Sequence, residues 1–142
     1  MTNLSLRRKI LVVDSRTGSW FIVERNMFSF EKLNVYQASL DLVNDIYILT
    51  QDWPKSEIFG LTGQIRRAAV SISLNIAEGS GRTKKDFRHF LDMARSSCQE
   101  CVALLEIVRR RSFIKTDEFN KFYARFTSQA MQISALKRSI QP

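Results

Sequence analysis

The chain has 142 residues, 44% of them hydrophobic, which suits one domain with a real core. Only two Pro and five Gly argue against a loop-rich or all-β design. Lys and Arg number 22 against 14 Asp and Glu, and the resulting net +8 points to a polyanionic partner, RNA or DNA before an anionic membrane.

The charge is uneven. Residues 27–65 carry two basic and five acidic side chains, residues 66–142 fifteen basic and seven acidic, and residues 1–26 five basic and two acidic. The basic field therefore belongs mainly to the second half. No apolar run approaches the roughly 20 residues needed to cross a bilayer. Arg7, Arg8 and Lys9 precede only the short run Ile10 to Val13, which Asp14 ends, so no signal peptide is read there. A cytoplasmic location is the expectation.

Residues 1–26 differ from the rest. KILVVD and WFIVE are β-branched and aromatic runs separated by SRTGS, a hairpin pattern. A lone two-stranded hairpin is marginal in water, so the segment packs on something or is a poorly ordered extension. Met27 follows it and offers an alternative start. Residues 27–142 are expected to form the folded domain.

From Asn34 to Asp52 the period is helical. Val35, Ala38, Leu42, Ile46, Leu49 and Trp53 step by three and four, and Pro54 stops the run. Tyr36, Leu40, Val43 and Tyr47 form a second stripe, wider than one packed neighbour requires. That surplus is expected to lie between subunits.

The stretch AVSISLNIAEGSGR, residues 69–82, reads locally as a strand, because Val70, Ile72, Leu74 and Ile76 alternate. The three-four step of Ile58, Leu61, Ile65, Ala68 or Ala69, Ile72 and Ile76 holds over more turns, so a helix is expected from near Ser56. Ser71 and Ser73 then bond back to their own preceding turn. No histidine base or nucleophile elbow accompanies them. Gly79 is expected at the helix C-cap in a left-handed conformation. Gly79-Ser80-Gly81-Arg82 is a turn, lacking the spacing and the preceding strand of a phosphate loop. Glu57, Gly60, Gln64, Arg67, Ser71, Asn75 and Glu78 recur on one face, facing either solvent or a polar seam.

Thr83 caps a third helix, with Asp86 three residues on. Its seam is Phe87, Phe90, Leu91, Ala94, Cys98, Cys101, Val102, Leu105 and Val108, running to about Arg110. Cys98 and Cys101 form C-x-x-C inside this stripe. One His, His89, cannot complete a zinc site within the chain, and a redox pair belongs at a helix N-terminus, so core packing is the expectation. Thr116 is expected to cap a fourth helix carrying Phe119, Phe122, Phe126, Ala130, Ile133 and Leu136. No cofactor is implied.

Three segments carry a resemblance: residues 30–54, from FEKLNVYQ to DWP; residues 59–82, FGLTGQIRRAAVSISLNIAEGSGR; and residues 87–107, FRHFLDMARSSCQECVALLEI. Their sharpest piece is Gln64-Ile65-Arg66-Arg67-Ala68 followed by Ser71 and Asn75-Ile76-Ala77-Glu78-Gly79. Together they resemble, over roughly residues 28–138, the bacterial four-helix-bundle family of proteins encoded by intervening sequences in 23S ribosomal RNA genes. The resemblance implies an all-α, antiparallel up-down-up-down four-helix bundle assembled as a ring-like homopentamer. It extends to the accessory variability determinant of diversity-generating retroelements, which implies RNA and a reverse transcriptase as partners. No catalytic residue carries over. The polar stripe, with Gln64, Arg67, Ser71, Asn75 and Glu78, reads as a structural seam in this light.

A non-catalytic, oligomeric RNA-binding protein is therefore the first functional reading, and a scaffold docking a reverse transcriptase or another protein the second. No membrane and no small-molecule substrate is expected. The expected RNA contacts are Arg82, Lys84, Lys85, Arg88 and Arg95, extended by Arg66, Lys121 and Arg125. Changing Arg88 and Arg95 to Glu is expected to weaken RNA binding and spare the fold.

Overall fold

The computed structural model of the protein describes residues 9–25 and 28–141. The basic pair Arg7-Arg8 and the alternative start at Met27 lie outside the described residues. A two-stranded antiparallel hairpin comes first, β1 (Lys9–Val13) and β2 (Trp20–Glu24), in register from Lys9 opposite Glu24 to Val13 opposite Trp20. Its turn needs a positive φ, which Gly18 supplies at +70° while its N–H donates to the Asp14 carbonyl. The strands are apolar on both faces and mostly exposed, with Trp20 at 66%. Among the described residues the hairpin's hydrogen bonds are all internal.

Four helices follow: α1 (Asn34–Thr50), α2 (Leu61–Ser80), α3 (Lys84–Arg110) and α4 (Thr116–Ser139). Their cross-links run in opposite senses along each neighbouring pair. Ser39 meets Ser73 while Thr50 meets Arg66; Gly79 approaches Phe87 while Ser71 meets Ser97; Asp92 meets Lys137 while Arg109 lies over Phe119. Asp45–Arg125 and Gln129–Val35 join α4 back to α1. The result is an antiparallel four-helix bundle behind an N-terminal hairpin, as the periodicity of the four segments predicts.

The core follows the expected stripes, with Ile46, Ile65, Ile72, Leu91, Leu105 and Phe126 among the fully buried side chains. Ala68 and Ala69 are both buried, which lets α2 lie close to its neighbours. Six polar side chains are buried with them among the described residues, Gln129, Ser39 and Ser73 included. Gln129 Nε2 donates to the Val35 carbonyl at 2.8 Å, and the Ser39 hydroxyl lies 2.9 Å from Ser73 Oγ across α1–α2. Most buried hydroxyls in folded proteins are bonded, and among the described residues Thr62 Oγ1 is the buried side-chain oxygen without a partner. Ser73 is thus satisfied by a neighbouring helix, where a bond within its own helix was expected.

Several ends differ from the expectation. The chain does not enter α2 at Ser56: residues Lys55–Glu57 form a short 3-10 turn and Gly60 breaks away at φ −103°, ψ −122°. Glu57 Oε2 then accepts from the Leu61 N–H at 3.1 Å, so an acid placed in the first turn by sequence serves instead as the cap from outside. Ile58, placed in the core stripe, is exposed as a consequence. Gly79 is not a left-handed C-cap; α2 runs on to Ser80. A Cβ at Gly79 would lie 2.5 Å from Phe90 Cβ and 2.9 Å from Phe87 Cδ2, so this glycine permits close α2–α3 contact. Thr83 caps α3 as expected, accepting from the Asp86 N–H. At α4 the cap lies one residue before Thr116, where Glu118 Oε2 accepts from the Lys115 N–H at 2.8 Å.

Candidate nucleic-acid interface

The eight cations read from the sequence divide into free and engaged side chains. Lys84, Lys85 and Arg95 on the first half of α3 are exposed and have no ion-pair partner among the described residues. Lys121 on α4 is likewise exposed. The other four are engaged within the bundle. Arg66 Nε donates to Thr50 Oγ1 at 2.8 Å, and its guanidinium lies 4.5 Å from the centre of the Tyr47 ring, which ties α2 to α1. Arg82 pairs with Glu78 one turn back at 2.7 Å. Arg125 bonds to Asp45 on α1. Arg88 donates to the carbonyls of Lys137 and Ile140, at 2.7 and 2.8 Å, and so closes the last turn of α4.

The polar stripe of α2 divides. Ser71 and Ser97 bond hydroxyl to hydroxyl at 2.5 Å across α2–α3, and Asn75 Nδ2 donates to the Ser71 carbonyl at 2.8 Å. Gln64, Arg67 and Glu78 are exposed. The second stripe of α1 divides too: Tyr36 and Val43 are half-buried against the core, while Leu40 and Tyr47 face outward. Leu74 of α2 and Ile58 and Phe59 of the α1–α2 connection are also exposed, Phe59 at 94%.

A second feature was not legible in the charge pattern of α3. An open groove of about 1030 Å³ runs along α4 beside α3, with Arg95 on one wall and Tyr123, Met131 and Arg138 on α4. Arg95 and Arg138 also line the adjoining recess that holds Asp92 and Lys137. The signal for Arg138 and Tyr123 lay in α4 itself, where Tyr123, Met131 and Arg138 recur at steps of eight and seven on one face.

The 23S rRNA-intervening sequence protein family matches residues 31–135. The chain belongs to that family. Among solved structures, it is similar to a protein of unknown function from the S23 ribosomal protein family of Bacteroides thetaiotaomicron. The TM-score is 0.67 at 22% identity, over 73% of this chain and 95% of that one, a likeness of fold. No curated protein matches the sequence. The family match covers all of α1, α2 and α3 and stops within α4, so the hairpin and Arg138 fall outside it.

Within the family's bundle the C-x-x-C pair sits in the core. Cys98 and Cys101 are buried free thiols. Burial pushes the Cys98 thiol up to about 12 and raises that of Cys101 further, so both stay protonated and unreactive. No cluster of three or more His, Cys, Asp or Glu able to hold a metal exists among the described residues. No helix among them is long and apolar enough to cross a membrane. At the far end of α3, hydrogen bonds from Arg109 and then Arg110 lower the Glu106 carboxyl to about 2.

Proposed function

We propose that the protein is a non-catalytic, oligomeric RNA-binding member of its family, acting in the cytoplasm. The observation that carries this reading is the set Lys84, Lys85 and Arg95: three exposed cations on one half-helix with no ion-pair partner among the described residues, in a chain with net charge +8. Such groups contact phosphates and release counterions. The outward stripe of Leu40 and Tyr47, continued by Leu74, Ile58 and Phe59, supplies the subunit interface of a ring, with five copies the number favoured by the family resemblance. In a ring the cations repeat, and avidity strengthens weak phosphate contacts.

Fluorescence anisotropy with a labelled structured RNA tests the reading across a salt series. Affinity should fall steeply with salt, and Lys84→Glu with Lys85→Glu should weaken binding and flatten the log–log slope by about 0.7 to 0.9 per lost contact. Binding that ignores salt, or none, overturns the RNA reading. Light scattering tests the assembly. A monomer at micromolar concentration would leave Phe59 and Leu74 to a different protein, and the scaffold reading would then stand in its place.

A further inference from the structure

We propose that the groove between α3 and α4 binds single-stranded RNA, with Tyr123 as a stacking platform and Arg95 and Arg138 as phosphate contacts. This rests on the RNA reading above and specifies where an unpaired segment would lie.

Three observations carry it. The first is charge. The charged residues lining the groove are Arg95 and Arg138, and no carboxylate lines it among the described residues. Asp92 in the adjoining recess is held by Lys137 Nζ at 2.6 and 2.7 Å, and Asp41 lines a separate recess on the α1 side, so neither acid enters the groove itself. The second is an aromatic ring in the right place. Tyr123 is 49% exposed, and its ring packs on Phe119 at 5.7 Å between centres with planes 36° apart. Arg109 lies over the Phe119 ring in turn. The tyrosine is thus supported from behind while part of it stays open to a base. The third is shape. Tyr123 and Arg138 are 15 residues apart on one helix, about 22 Å, and the lining between them is mostly small, with Ala124, Ser128, Ser134 and Ala135 beside the exposed Met131.

Stacking on an aromatic ring requires a base free of its partner strand, which a duplex does not offer. A floor of small and apolar residues between cations is the arrangement that single strands use: rings for bases, guanidiniums for the backbone. A partner helix would suit the apolar floor too, but it would have to bring its own acids to the two cations, whereas an RNA strand carries a phosphate at every nucleotide.

The test is anisotropy with a labelled 12-nucleotide oligouridylate and, for comparison, a blunt-ended, G·C-rich RNA duplex of matched phosphate count, all of whose bases are paired. The oligouridylate should bind more tightly. Tyr123→Ala should weaken it by about fivefold to a hundredfold, and Tyr123→Phe should restore it. Arg95→Ala with Arg138→Ala should flatten its salt slope by about 1.4. Photocrosslinking of 4-thiouridine RNA to the unaltered protein gives a readout independent of variant folding, with adducts expected on residues 123–138. Adducts confined to other segments overturn the proposal, as does equal binding of the paired RNA. If the groove variants bind RNA like the unaltered protein while Lys84→Glu with Lys85→Glu loses it, the groove falls and the RNA reading stands. If the unaltered protein binds neither RNA, both fall, and the groove is left to a partner helix.

Discussion

Arg88 donates from one guanidinium nitrogen to the carbonyl of Lys137, 49 residues away, at 2.7 Å. The same nitrogen reaches Ile140 O, so one side chain of α3 holds the C-terminal end of α4. A residue selected by sequence as an RNA contact is thereby a structural clamp.

The consequence is measurable by urea unfolding. Arg88→Ala should lose about 1.5–3 kcal/mol, because two carbonyls lose a charged donor. Arg95→Ala, on an exposed side chain with no ion-pair partner among the described residues, should stay within about 0.5 kcal/mol. Equal effects would show that the clamp contributes nothing. Arg88→Glu is also expected to disturb the fold, so it does not serve as a clean probe of RNA binding.

The packing of α2 against its neighbours should tolerate no added atoms. Gly79→Ala places a Cβ 2.5 Å from Phe90 Cβ, and Ala69→Leu forces a larger side chain into a fully buried site. Each should cost about 1–3 kcal/mol despite the better helix propensity of the new residue. Ser73→Ala should cost about 1 kcal/mol, since Ser39 keeps its bond to the Tyr36 carbonyl. Thermal unfolding of the three variants would rank them. A silent Gly79→Ala would mean that the helices separate there without penalty.

Glu106 should titrate near 2, and the sign of its effect follows. Its folded value lies below the unfolded one of about 4.3, so the stabilisation is fully present above pH ~4.3 and is lost as pH falls through about 2. Carboxyl NMR on the native protein would read the midpoint directly. Arg109→Gln should raise it more than Arg110→Gln, because the bond to Arg109 is the larger cause. A midpoint near 4 would show that these bonds are not populated in solution.

Removing residues 1–26 should leave the bundle's unfolding temperature unchanged. The hairpin's hydrogen bonds close on themselves and its strands are mostly exposed. A loss of several degrees would show that its apolar faces pack on the bundle. Such a result would also supply the partner that an isolated hairpin needs.

The helices, their order and most of the core were legible in the chain itself, because burial repeats with the 3.6-residue period. Ile65, Ile72, Ile76, Leu91, Leu105 and Phe126 sit where that period places them. The hairpin was legible from its two β-branched and aromatic runs on either side of SRTGS, not from a burial period, since both strands are mostly exposed, and the alternation at 70–76 yielded to the longer helical pattern. What periodicity does not carry is the identity of a partner. Gln129, Ser39 and Ser97 are polar by composition and became interior only because another helix brought a carbonyl or hydroxyl to meet them. Gly79 looked like a chain terminator until Phe87 and Phe90 came to lie against it. The cations divide on the same ground. Lys84 and Arg88 are four residues apart on α3, yet Arg88 is consumed by carbonyls 49 and 52 residues away and Lys84 stays exposed. Spacing along a helix assigns a side chain to a face, and only the packing of the other helices decides whether that face holds a free charge, a bonded one, or, as with Arg95, Tyr123 and Arg138, one wall of a groove.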